Sequence, residues 1–99
     1  MTVNIQYVDL KTSESLSEFT RNKLASLFNK FEFLISAEVH FKKDEKDFEN
    51  GKICNIELSL PGPRLFATSN THNFEVSIRE TISDLERQLK KRKEIFKVY

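Results

Sequence analysis

Val3, Ile5 and Tyr7 alternate with Thr2, Asn4 and Gln6, and a period of two marks a strand with one buried face. The period then changes. Leu16, Phe19, Leu24, Leu27, Phe28 and Phe31 recur at spacings that gather on one broad side of a helix. Ser13 offers an oxygen to the free amides of the first turn and Glu14 places a charge favoured at a helix start, so a helix is predicted from 13 to about 30. Alternation returns over about 34 to 42, with Ile35, Ala37, Val39 and Phe41 on one side and Ser36, Glu38, His40 and Lys42 on the other. Residues 43 to 51 are a polar turn region, expected to be mobile at its tip, in which Asn50-Gly51 can supply the positive φ angles of a hairpin.

Ile53, Cys54, Ile56, Leu58 and Leu60 predict a third strand that Pro61-Gly62-Pro63 ends. Arg64 to Ser69 then returns antiparallel, with Leu65 and Ala67 on one face and Phe66 and Thr68 on the other. Asn73 caps a second helix whose stripe of Phe74, Ile78, Ile82, Leu85 and Leu89 is spaced by four, four, three and four. The predicted class is α+β in the order β-α-β-β-β-α. A four-stranded, mostly antiparallel sheet with two helices on one face buries every apolar stripe, and the uncovered face stays polar. The helical crossover lets the first two strands pair in parallel, while the short turns make the other pairings antiparallel. This topology resembles double-stranded-RNA-binding architecture with an extra leading strand.

Composition narrows the class. Ninety-nine residues, 38% hydrophobic and with nine Phe, predict one small globular domain over 1–99 with a modest core that folds without metal. Cys54 has no partner in the chain, which excludes an internal disulfide and fits a reducing compartment. No basic-then-apolar leader opens the chain and no apolar run approaches the length of a membrane span, so neither secretion nor membrane insertion is expected.

Charge is more telling. Residues 1–86 hold ten Lys or Arg against fourteen Asp or Glu, whereas 87–99 hold six against one, so a net +1 conceals a dipolar molecule. Arg87, Lys90, Lys91, Arg92, Lys93 and Lys97 crowd the end of the second helix at about 87–97. Such a tip suits a polyanion such as RNA, because each neutralised phosphate releases counterions; a solvated helix end with cations favoured by the helix dipole is the plainer alternative. Residues 87, 90, 91 and 94 share one side of the helix and can track a backbone without choosing bases. Arg79, two turns earlier, and Lys42, Lys52 and Arg64, in or near strands, are candidates to extend the patch. Phe66 and Phe96 are candidates for apolar contact outside the core, Phe96 alternatively tucking the tail onto the sheet.

Little supports catalysis. No HExxH, GxSxG, CxxC or phosphate-loop pattern occurs. Asp44, Glu45, Asp47 and Glu49 miss the calcium-loop spacing and are interspersed with lysines, so no metal or other cofactor is predicted.

The opening Val3-Asn4-Ile5, the helix entry Ser13-Glu14-Ser15-Leu16-Ser17-Glu18-Phe19, Ala37-Glu38-Val39, Leu65-Phe66-Ala67, Asn73-Phe74-Glu75-Val76-Ser77-Ile78 and Asp84-Leu85-Glu86-Arg87-Gln88-Leu89-Lys90-Lys91-Arg92-Lys93 together resemble the ribosome hibernation-promoting factor family, also called ribosome-associated inhibitor or sigma-54 modulation proteins, in its short form. The resemblance implies a cytoplasmic, non-enzymatic translation inhibitor. It would bind ribosomal RNA of the small subunit near the decoding region and block messenger or transfer RNA during hibernation. Arg87, Lys90, Lys91 and Lys93 would match basic residues of the terminal helix that contact that RNA. Arg79 stands where the family often has an acid, and Asp84 where it often has a lysine. Ending at Tyr99, the chain is expected to lack the dimerising domain of long forms, to be monomeric when free, and to favour paired ribosomes only with another hibernation factor. The competing function is a non-ribosomal protein-interaction domain whose basic tip binds an acidic partner such as a transcription regulator.

Overall fold

Alternation along the strands and the two helical stripes put the apolar side chains on facing surfaces, and the chain closes on them. The computed structural model describes residues 2–97, without the side chain of Lys97. The elements are β1 (Thr2–Tyr7), α1 (Glu14–Lys30), β2 (Ser36–Lys43), β3 (Lys52–Ser59), β4 (Leu65–Thr71) and α2 (Phe74–Lys97). The strands lie side by side in the order β1-β2-β3-β4, with β1 parallel to β2 and the other two pairings antiparallel. This is the predicted α+β arrangement. Met1, Val98 and Tyr99, the remainder of the expected 1–99 domain, lie outside the described residues.

Local chemistry sets the helix ends. Ser13 Oγ accepts from the Leu16 amide at 3.2 Å, and Asn73 Oδ1 accepts from the amides of Glu75 and Val76 at 2.7 and 3.3 Å. Leu24 and Leu27 of α1 and Ile78, Leu85 and Leu89 of α2 are buried against Ala37, Val39, Phe41, Cys54, Ile56 and Leu58 of the sheet. Phe74 is partly buried and meets Phe41 edge-on, its ring centroid 5.5 Å away. The buried hydroxyls sit in hydrogen bonds, as buried polar groups must: Thr20 donates to the Leu16 carbonyl at 2.8 Å, Thr81 to that of Ser77 at 2.7 Å, and Ser77 to that of Lys52 at 2.5 Å.

Two local expectations are corrected. β2 begins at Ser36 rather than 34, and Ile35 lies outside it with 57% of its surface exposed. The amide of Leu34 donates to the Phe31 carbonyl at 3.1 Å, and this turn buries Leu34, breaking the alternation just before the strand. In the β2–β3 loop only Gly51, at φ +105°, takes the left-handed conformation, and Asn50 does not. A two-residue hairpin turn is absent because the loop is built on aspartates. The side chains of Asp44 and Asp47 accept from the amides of Lys46 and Asn50 at 3.1 and 3.0 Å, while the Asp44 amide donates to the Gly51 carbonyl at 2.9 Å. A Cβ on Gly51 would stand 2.5 Å from the Asp44 carbonyl oxygen, so glycine is needed here.

Candidate nucleic-acid interface

A chain of hydrogen bonds fixes the course of α2. Near its start Ser77 bonds the Lys52 carbonyl; further on Gln88 Nε2 donates to the Phe66 carbonyl at 3.0 Å, and the Arg92 guanidinium donates to the carbonyls of Pro61 and Pro63 at 3.0 and 2.9 Å. The helix therefore runs antiparallel to β4, and its basic end arrives at the Pro61–Pro63 turn. There Phe96 stacks edge-on against Phe33 at 5.1 Å, and Phe33 against Phe31 at 5.9 Å. The last turn is thus tied to the α1–β2 connection, and of the two alternatives for Phe96 the tucked one takes a different form, the ring packing on Phe33 rather than on a strand.

Four of the predicted cations stand exposed on this end: Arg87, Lys90, Lys91 and Lys93. Lys90, Lys91, Lys93 and Glu94 line a single shallow concavity. Arg87 is held loosely, its guanidinium 3.6 Å from Asp84 and 3.4 Å from Ser83 Oγ. Lys90 lies 3.8 Å from Glu86. Exposed pairs of this kind give way readily to a phosphate, since each contributes little. Arg92 differs from the other four. It is half-buried and its donors hold the turn carbonyls, which makes it a structural clasp beside the exposed cations. The side chain of Lys97, the sixth charge of the run, lies outside the described residues.

Tertiary structure adds cations that the reading of α2 alone missed. Lys30, at the end of α1, bonds Glu86 at 2.9 Å and so reaches the same region as Lys90. The Lys30 hydrogen bond, helped by the Lys30 and Lys90 charges, holds the Glu86 carboxyl below its ordinary range. Two turns earlier on α1, Lys23 Nζ and the Arg79 guanidinium each sit 5.4 Å from the Phe19 ring centroid. Phe19 of α1 thereby brings Arg79 of α2 into the neighbourhood of Lys23. The signal was present in the sequence, because residues 23 and 30 are seven apart and fall on one side of a helix.

Other candidates separate. Arg64 sits at the turn end, paired with Glu57 at 2.8 Å on the open sheet face. Lys42 and Lys52 do not join it. The register Lys43↔Lys52↔Thr71 puts them at the opposite end, roughly 20 Å along β3 from Leu58 at about 3.3 Å per residue. Lys42 shares the open face with His40, but Lys52 is in step with buried Cys54 and so lies on the helix-bearing side, where it lines a concavity with Lys11, Lys43 and His72. Lys42 and Lys52 therefore do not extend the helix-end patch: strand periodicity and register divide them between two faces at the opposite end of the sheet.

The open face is polar, as predicted, with cross-strand rows Gln6-His40-Asn55-Thr68 and Asn4-Glu38-Glu57-Phe66. Phe66 is 64% exposed on it. Burial pushes the Cys54 thiol up to about 12, against a smaller opposing effect of its Thr81 hydrogen bond. Among the described residues no three His, Cys, Asp or Glu side chains gather as a metal site, and no helix is long and apolar enough to cross a membrane.

A model of the family described as sigma 54 modulation protein / S30EA ribosomal protein matches residues 3–97. Among solved structures, a ribosomal subunit interface protein from Coxiella burnetii is similar at 21% identity and a TM-score of 0.85, covering 95% of this chain and 99% of its own. The N-terminal domain of Thermus thermophilus Protein Y aligns at 19% identity and a TM-score of 0.79, over 92% of this chain and 98% of its own. At these identities the likeness establishes the fold. No curated protein matches.

Proposed function

The chain belongs to the sigma 54 modulation protein / S30EA ribosomal protein family, and from that membership we propose that it is a ribosome-associated translation inhibitor that binds RNA of the small subunit near the decoding region. The observation that carries this reading is the grouping of Lys30, Arg64, Arg87, Lys90, Lys91 and Lys93 at one end of the molecule, on two helices and a turn fixed to one another. Phosphates are met there by exposed cations on a rigid scaffold, Arg87 and Lys90 among them only loosely paired, and little ordering is required on binding. Inhibition is steric: a folded domain with principal extents of 47, 23 and 18 Å occupies space that messenger or transfer RNA needs during hibernation. The protein acts in the cytoplasm by binding and exclusion rather than bond-making.

Sedimentation with purified small subunits tests the proposal. The protein is expected to co-migrate at low salt, to be released as salt rises with a log–log slope of roughly −0.7 to −0.9 per phosphate contact, and to compete with messenger and transfer RNA. Absence of co-migration at low salt would overturn it.

A further inference from the structure

Phe48, in the β2–β3 loop, is 96% exposed and lies outside the core. Isolated exposed apolar residues are common, but this one is held out on a built loop. Asp44 and Asp47 each accept a loop amide, the Asp44 amide closes onto the Gly51 carbonyl, and the Gly51 amide donates to Asn70 Oδ1 at 2.6 Å, tying the loop to β4. The loop backbone is thus shaped by hydrogen bonds on both sides of Phe48, while the ring itself stands in solvent. Its sequence neighbours are Asp47 and Glu49, and residues 44–49 carry four acids against Lys46 alone. The stem is basic, through Lys42, Lys43 and Lys52, but the tip around the ring is not.

We infer that this loop is a protein-docking element, with Phe48 filling an apolar pocket on a basic protein and Glu45 and Glu49 meeting the cations around that pocket. RNA is disfavoured as the occupant because a base stacked on Phe48 would bring its phosphates against the flanking carboxylates. Strand register places the loop at the end of the sheet opposite the Pro61–Pro63 turn and the basic helix end. The inference rests on the proposed ribosomal role: anchored on RNA by one end, the domain offers the other to a protein of the subunit.

Photo-crosslinking on purified small subunits tests it, with Phe48→p-benzoylphenylalanine and, separately, Lys91→p-benzoylphenylalanine. Position 48 is expected to link to a ribosomal protein and position 91 to RNA. Phe48→Ala should weaken binding about tenfold, as truncating an aromatic anchor does. The variant should fold, since the ring is not buried. If position 48 links only to RNA or to nothing while the parent protein binds, the docking inference falls and the ribosomal reading stands. If the parent does not bind subunits, both fall.

Discussion

Lys90 and Lys91 lie off the packing stripe of α2, and neither contributes to the core. Reversing both, Lys90→Glu with Lys91→Glu, removes two candidate phosphate contacts and adds two repulsive charges. The carboxylate introduced at position 90 would stand near Glu86, a like-charge pair four residues apart that costs about 0.2–0.5 kcal/mol. The circular dichroism spectrum and melting transition should therefore stay near those of the parent, while ribosome binding and translation inhibition are both lost. A folded double variant that inhibits as well as the parent would move the anchor elsewhere. Cys54 gives a second test at this scale. With its pKa at about 12, the thiol is almost entirely protonated at neutral pH, and it is fully buried. Alkylation followed by mass spectrometry should leave it unmodified in the native protein and label it completely in denaturant.

Between elements, the contacts of α2 carry both stability and the geometry of the interface. Leu85 is fully buried in the helix-bearing core, and Leu85→Ala should cost about 2–5 kcal/mol in denaturant unfolding by leaving a cavity. Binding should fall only as far as the unfolded fraction rises, in contrast to the charge-reversal pair. The Lys30–Glu86 bond joins α1 to α2 at the surface. Because the Glu86 carboxyl is held below its ordinary range by Lys30, the stability it gives is full above the unfolded-state pKa and is lost as pH falls through the depressed folded value. Glu86→Gln should accordingly be less stable than the parent at neutral pH by no more than about 1 kcal/mol. Unfolding curves measured over a pH series should show that difference close on acidification below the carboxylate range.

Over the whole molecule, the separation of charge seen in sequence becomes a separation in space, with the basic helix end at one end of the sheet and the acidic, Phe48-bearing tip at the other. The order of elements, both capping residues, the parallel first pairing and the inward face of each strand were legible in the sequence, because periodicity and capping depend on neighbours a few residues apart. Ile35 and Asn50 were not. Their conformations are set by the Phe31–Leu34 turn and by aspartates that accept loop amides, both stronger locally than the alternation or the Asn-Gly preference. The charge run on α2 also marked the end of the molecule now proposed to meet RNA. Which cations stand together is a different kind of fact. Strand register sends Lys52 to the helix-bearing side and Lys42 far from Arg64, helix packing brings Lys23 and Lys30 to Arg79 and Lys90, and the Pro61–Pro63 turn turns Arg92 into a clasp. The sequence by itself determined what each segment forms and which side it buries; only the tertiary structure decided which charges share a surface, because that depends on contacts between residues distant in the chain.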